Sequence, residues 1–370
     1  MRLTISAWLL LALAQASLPA IRPRARDLGI APGVMQPGPL NAITDVAGVL
    51  IGQTTIVADN VRTGVTAIVP HSGNMFRDKV PGAVFVGNAF GKLAGSTQVA
   101  ELGTIETPIV LTNTLSVGTA VEAVVRWTVA QPGNENVRSV NALVGETNDG
   151  TLNDIRGFHV KPEHITSAIG LARTGPVEEG AVGAGTGTVA FGWKGGIGTS
   201  SRRVPQQDDT WTVGVLVQTN YGGRLVIDGV PVWKTLSPTP AGNAQPAADG
   251  SCMIIVATDA PLDARNLTRL AARAVFALAR TGSTYSNGSG DYAVAFSTHP
   301  SLRVTNAAGP QARIVLPTDS VSALFEATLD ATEEAVYNSL LKASDTTANG
   351  RTIRALPIER LKELLAKPRR

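Results

Sequence analysis

Asp249-Gly250-Ser251-Cys252-Met253-Ile254-Ile255-Val256-Ala257 marks the sharpest change of character in the chain. Before it, the stretch Ser237-Pro238-Thr239-Pro240-Ala241-Gly242-Asn243-Ala244-Gln245-Pro246-Ala247-Ala248 is small, polar and Pro-rich. It has nothing to bury and reads as an exposed loop or linker. After it, Cys252 to Ala257 is an apolar run of strand length. Ser251 therefore stands where a loop meets a buried strand, with a glycine in front of it. Glycine lacks a Cβ, so its carbonyl can be approached closely. Attack of the Ser251 hydroxyl on the Gly250 carbonyl, an N-to-O acyl shift and hydrolysis would free the Ser251 α-amine. That amine, with an ordinary pKa of roughly 7.7–8.0, would then serve as the hydroxyl's own general base. The same residues also read as an Asp-Gly turn leading into a strand, and the local sequence leaves both readings open.

Working outward, the segment from Arg26 to about Thr235 is made of short apolar runs broken by Gly, Pro, Asn and Thr. Gly82 to Gly87, Thr107 to Thr112 and Trp211 to Val217 are expected to be buried strands. A helix is expected around Val117 to Ala130, with Val121, Val124 and Val125 at helical spacing. Downstream, Pro261 is expected to open a helix to about Arg280, with Leu267, Leu270, Ala271, Ala274, Val275 and Leu278 on one stripe. Gly282 sits where a C′ glycine belongs. A helix from about Ser320 to Lys342, capped by Asp319 or Ser320, and a short one after Pro357 complete the reading. Strands and helices mix in both halves, which predicts α/β layers around one core with the Pro-rich loop dividing the chain.

The bulk numbers narrow the function classes. The chain has 370 residues, 44% of them hydrophobic, enough for one large core or two modest ones. Charged residues are 16%, the formal net charge is +3 and aromatics are 5%, without a basic block apart from the terminal Lys367-Pro368-Arg369-Arg370. A nucleic-acid footprint is missing. Met1-Arg2, the apolar run Ala7 to Ala14 and the small-x-small Ala14-Gln15-Ala16 resemble a secretory signal cleaved after Ala16. Export to a bacterial periplasm is the expectation, since the run is far shorter than the roughly 20 apolar residues that span a bilayer. Cys252 is the only cysteine, so no internal disulfide is expected.

Familiar chemistries fail on spacing. The run Gly180-Ala181-Val182-Gly183-Ala184-Gly185-Thr186-Gly187 suggests a dinucleotide fingerprint, but counted from Gly183 its third glycine is replaced by Thr188, counted from Gly185 it reaches Ala190, which only the looser form allows, and no helix pattern follows. Gly91-Lys92 lacks the rest of a phosphate loop. His71, His159, His164 and His299 are scattered and offer no zinc spacing. No Gly-x-Ser-x-Gly elbow has the strand-turn-helix context of a Ser-His-Asp enzyme. Neither a cofactor nor a metal is expected, and any chemistry must run without an obvious His base.

Several long blocks, in order over nearly the whole mature chain, resemble one family. They include Arg26-Asp27-Leu28-Gly29, Gly38 to Val49, Arg62 to Ala67, Glu106 to Ile109 and Thr112 to Gly118. They continue through Gly145-Glu146-Thr147-Asn148-Asp149-Gly150, the glycine-rich run to Arg202, Asp249-Gly250-Ser251, and Ser286-Asn287-Gly288-Ser289-Gly290-Asp291. The chain is similar to the L-aminopeptidase/D-esterase and β-peptidyl aminopeptidase family of self-processing, N-terminal-nucleophile-type hydrolases. The resemblance implies a four-layer α/β/β/α sandwich, self-cleaved into an α chain from about Ser17 to Gly250 and a β chain from Ser251 to Arg370. Together these form one structural domain, and a homotetramer of αβ units is implied. Ser251 would be both the self-cleavage and the catalytic nucleophile. Asn220 would donate its side-chain amide to the oxyanion, a contribution of roughly 3–4 kcal/mol in comparable sites. Ser289 and Asp291 would relay protons or orient the nucleophile. Glu146 would bind the substrate's free ammonium, the feature that makes such an enzyme an aminopeptidase. Some members carry Tyr where this chain has Asn148.

The substrate expected on this basis is a small peptide or an aminoacyl amide or ester, of α-L, D or β configuration. Two alternatives stand beside it: an amidohydrolase of the same fold without selectivity for a free amine, and a non-catalytic periplasmic binding protein. A related fold supports acyl transfer to ornithine, but that group uses Thr at the self-cleavage site, where this chain has Ser251.

Overall fold

The computed structural model describes residues 22–206, 209–238, 250–305 and 307–367. The expected signal sequence at 1–16 and residues 239–249 of the Pro-rich segment lie outside them. In chain order the strands of the first half are β1 (Leu50–Ala58), β2 (Val61–Val69), β3 (Asp78–Ala89), β4 (Leu93–Ala94), β5 (Thr104–Ile105), β6 (Ile109–Asn113) and β7 (Leu143–Thr147). Then come β8 (Val189–Ala190), β9 (Trp193–Lys194), β10 (Ile197–Gln206), β11 (Asp209–Asn220), β12 (Ser251–Thr258), β13 (Gly290–Ser297), β14 (Val304–Thr305), β15 (Thr346–Ala348) and β16 (Arg351–Ile353). The helices are α1 (Ser96–Leu102), α2 (Val117–Val129), α3 (Pro162–Gly170), α4 (Ala264–Arg280), α5 (Ser322–Leu341) and α6 (Ile358–Leu365).

Two sheets carry the fold. The first runs β1-β2-β6-β7-β4 and the second β10-β11-β12-β13-β3-β14, with β5 also paired to β3. Side chains of both sheets, among them Ile68, Leu111, Leu143, Leu216, Ile255 and Phe296, form the core between them. The outer face of the first sheet packs Val65, Val110 and Val144 on Ala120, Val124 and Ile165 of α2 and α3. The outer face of the second packs Val215, Ile254 and Ala293 on Leu270, Ala274 and Ala335 of α4 and α5. The layers are therefore α/β/β/α, as the family blocks implied.

This layering explains the apolar run after Ser251. Along β12, Cys252, Ile254 and Val256 face the helices while Met253, Ile255 and Ala257 face the first sheet. A strand covered on both faces has no solvent position to fill, so its sequence is continuously apolar. The other expected strands overlap β3, β6 and β11, although β6 begins only at Ile109 and Val86 of β3 is 48% exposed rather than buried, and the expected helix at 117–130 is α2.

Two helix starts differ from the expectation. Pro261 does not open α4; it begins at Ala264, where the Asp263 carboxylate accepts from the Asn266 N–H at 2.9 Å. Such a cap satisfies a free N–H of the first turn, which a proline cannot do. All six residues of the expected stripe are buried, and Gly282 adopts the left-handed φ of +97° that ends the helix. Helix α5 starts at Ser322 behind a 3-10 turn, Thr318–Ser320, with Val321 at its N-cap and no side-chain cap. Neither Asp319 nor Ser320 caps it. The glycine-rich run forms a 3-10 turn at Gly183–Gly185 followed by the β8–β9 hairpin, with no helix behind it.

Candidate active site

Strand register assembles the site. On the second sheet, Asn220 at the end of β11 lies directly opposite Ser251 at the start of β12, and Ser251 lies opposite Gly290 at the start of β13. Three residues far apart in sequence thus form one row across the open end of the sheet. Ser251 shares its face of β12 with Met253 and Ile255, so its hydroxyl is directed to the side between the sheets. It is 6% exposed, and its Oγ accepts the Gly290 N–H at 3.2 Å.

Gly250 is needed here because of close packing. A Cβ at that position would lie 2.1 Å from the Asn220 carbonyl oxygen and 2.7 Å from Tyr221 Cα. The peptide bond between Gly250 and Ser251 therefore sits tight against the end of β11. Asn220 is itself held: its Oδ1 accepts the Val189 N–H of β8 at 2.9 Å, which leaves the amide NH2 to face the cavity that Asn220 and Ser251 both line.

Asp291 occupies a different place from the Ser251 hydroxyl. Strand alternation puts Asp291, opposite Cys252, on the helix side of the sheet. Both its carboxylate oxygens are buried without a hydrogen bond of normal geometry. Burial pushes its pKa up to about 6, opposed by the nearby Ser289 hydroxyl and the Cys252 N–H. Cys252 is also pushed up, by burial and then by Asp291, so this thiol beside Ser251 stays protonated and unreactive.

The raised Asp291 carboxyl has a consequence for stability. Its ordinary value is 3.8, so the folded state holds the proton more tightly than the unfolded chain does. Its contribution is present below about pH 4 and is lost as pH rises through about 6, where the buried carboxyl ionises. Asp291→Asn is therefore expected to raise the melting temperature at pH 8, by the equivalent of about 1–3 kcal/mol, and to change it little at pH 3.5. A melting difference that does not vary between those pH values would show that the carboxyl is not raised.

Glu146 reaches the site from the first sheet. It lies near the end of β7, 2% exposed, where Oε1 accepts the Lys92 N–H at 2.9 Å and Oε2 accepts the Thr114 hydroxyl. Lys92 Nζ stands 3.7 Å from Oε1 on a side chain that is 56% exposed. The two sheets meet closely beneath this point. A Cβ on Gly145 would lie 2.8 Å from Met253 Sδ, so a glycine next to Glu146 lets β7 approach β12. Glu146, Asn220, Gly250 and Ser251 all line one cavity of about 1170 Å³, with aromatic walls from Phe90, Phe191, Trp193 and Trp233. Among the described residues lining it, Glu146 is the only acid, and Lys92, Arg224 and Arg351 are the bases. Asn148 is also on the wall, but its Oδ1 accepts the Gly150 N–H at 2.9 Å in a local turn.

Comparisons with known proteins identify the family. The model of peptidase family S58 matches residues 41–353. The chain belongs to peptidase family S58. It is 44% identical to the beta-peptidyl aminopeptidase BapA of Sphingosinicella microcystinivorans, over 94% of this chain and 93% of that protein. Among solved structures, a beta-aminopeptidase from a Burkholderia species is 39% identical with a TM-score of 0.85, over 93% of this chain and 98% of the other. The L-aminopeptidase D-Ala-esterase/amidase of Ochrobactrum anthropi, a serine aminopeptidase with a variant of the Ntn hydrolase fold, is 36% identical with a TM-score of 0.86 and the same coverage. The S58 chain is accordingly a hydrolase with the Ntn-type sandwich.

In this S58 peptidase His71, His159 and His164 make local structural contacts. His71 Nε2 lies 2.8 Å from the Asp78 carbonyl, His159 pairs with Asp154 at 2.9 Å, and His164 Nδ1 accepts the Lys161 N–H at 3.0 Å. Among the described residues no group of three His, Cys, Asp or Glu side chains is placed to hold a metal ion, and no helix is long and apolar enough to cross a membrane. Sequence reasoning missed the Thr114 hydroxyl, the Lys92 amide, the Val189 amide and the Gly290 amide. Three of these four act through backbone N–H groups, which carry no residue-type signal, and Thr114 lay unremarked within the Thr112 to Gly118 block.

Proposed function

We propose that this S58 chain is a serine aminopeptidase that activates itself by cutting the Gly250–Ser251 bond. It then removes N-terminal residues from small peptides, amides or esters through an acyl-enzyme on Ser251. The observation that carries this reading is the row Asn220–Ser251–Gly290, with Glu146 lining the same cavity.

In self-cleavage, Ser251 Oγ adds to the Gly250 carbonyl carbon. The C–N bond breaks to leave Gly250 as an ester on Oγ, and water hydrolyses that ester to a Gly250 carboxylate and a free Ser251 amine. In turnover that amine takes the hydroxyl proton as Oγ attacks the substrate carbonyl, and returns it to the leaving amine. The Asn220 NH2 group, held by its other end on Val189, donates to the oxyanion. Asp291 lies on the far face of the strand, so any relay from it to the nucleophile passes through Ser289 and the backbone rather than by direct contact. The Glu146 carboxylate, fixed by Thr114 and the Lys92 N–H, receives the substrate ammonium in place of the loosely placed Lys92 side chain. Export through the 1–16 leader and assembly as a homotetramer of αβ units belong to the same proposal, resting on the sequence features and the family resemblance.

Denaturing mass spectrometry is expected to find two fragments, one ending at Gly250 and one of residues 251–370 whose N-terminal sequence begins Ser251-Cys252-Met253. One intact chain that still hydrolyses aminoacyl amides would overturn the scheme.

A further inference from the structure

Lys194 is fully buried at the end of β9, next in the chain to Trp193 of the cavity wall. Its Nζ donates to the carbonyl oxygens of Gly185 at 2.9 Å, Thr188 at 2.9 Å and Gly195 at 2.7 Å. Burial draws its pKa down to about 7, opposed by the charge of Asp149. Three carbonyl acceptors need three N–H donors, and of the two forms of lysine only the ammonium has them. Burying such an ion is costly, and no carboxylate lies within ion-pair distance of it among the described residues.

One of the three carbonyls connects this ion to the site. The Thr188 C=O and the Val189 N–H belong to the same peptide unit, and in a trans peptide they point in opposite directions. Lys194 holds one edge of that unit at 2.9 Å, and the other edge donates to Asn220 Oδ1, also at 2.9 Å. A cation on the carbonyl polarises the peptide and strengthens its N–H as a donor. It also fixes the plane, because Gly195 N–H donates to the same Thr188 oxygen at 3.2 Å. An inverted Asn220 amide would set its NH2 against the Val189 N–H, donor against donor. The end of Asn220 that faces Ser251 is thus selected from behind.

We infer that Lys194 is a positioning residue for the oxyanion donor. Its buried ammonium acts through the Thr188–Val189 peptide to keep the Asn220 NH2 group turned toward Ser251. The inference rests on the assignment of Asn220 as that donor.

The test is a double-mutant cycle on an aminoacyl amide, with rates normalised to processed chain. Asn220→Ala is expected to lower kcat roughly 100-fold or more, as loss of one oxyanion donor does. Lys194→Met, which keeps the volume and removes the charge, is expected to lower kcat roughly 10- to 100-fold with KM within about twofold. In the double variant kcat should match that of Asn220→Ala, since Lys194 then has nothing left to position. If Asn220→Ala leaves kcat intact, the oxyanion assignment falls and this inference falls with it. If Asn220→Ala is impaired but Lys194→Met is not, or if the two losses multiply, only the Lys194 role is overturned. Should Lys194→Met fail to fold, Val189→Pro removes the same N–H with Lys194 in place, and an undiminished kcat in that variant overturns the inference.

Discussion

Ser251→Ala is expected to yield one uncut chain with turnover reduced roughly 10⁵-fold or more, the scale on which removal of a catalytic serine acts. Both losses have one cause. The residue is 6% exposed at the head of β12, its Oγ is positioned by the Gly290 N–H, and no second nucleophile shares its face of the strand. Cys252 is one residue away, but it points into the helix layer and its thiol is held neutral by burial and by Asp291. Mass spectrometry of the variant reads the chain cut, and hydrolysis of an aminoacyl amide reads turnover. Appreciable turnover by Ser251→Ala would end the nucleophile assignment.

Glu146→Gln should divide substrates by their amino end. With a free-amine substrate, kcat/KM is expected to fall roughly 30- to 1000-fold, the equivalent of about 2–4 kcal/mol for removing one partner of a buried charge pair. With the N-acetylated counterpart, which the wild-type enzyme should already turn over poorly, the substitution should change little. The carboxylate is 2% exposed and already accepts from Thr114 and the Lys92 amide, so it meets an ammonium without reorganising. An acetylated substrate turned over by wild type as fast as the free amine would replace this reading with an amidohydrolase indifferent to the amine.

Much of the scaffold was legible in the chain itself. The β12 run, the α2 and α4 stripes and Gly282 are all local patterns, set by which face a side chain must bury. The misplaced starts of α4 and α5 are local as well. Asp263 outcompetes Pro261 because a carboxylate can satisfy a free helix N–H, whereas α5 begins behind a 3-10 turn that no side chain marks. The site residues were named through family blocks, and the structure gathers Glu146, Asn220, Gly250 and Ser251 around one cavity. What the sequence hid depends on register between distant strands. Whether Asp291 faces Ser251 or turns away is decided by pairing β12 with β13, and that pairing leaves no trace in Ser289-Gly290-Asp291 itself. Lys194 was equally hidden, since a lysine among glycines looks like an exposed charge until three carbonyls close around it.

The order of strands in the second sheet would govern the fate of the two fragments after the proposed cut. Strands β12 and β13 come after the Gly250–Ser251 bond, yet they lie between β11 and β3, which come before it. The two products are interleaved like fingers of clasped hands, with ladders on both flanks of the inserted pair. Pulling the fragments apart would mean tearing the central sheet and both cores it supports, so dissociation and unfolding become the same event. The proposed hydrolysis would therefore liberate a new terminus at the heart of the enzyme without loosening the assembly that holds it.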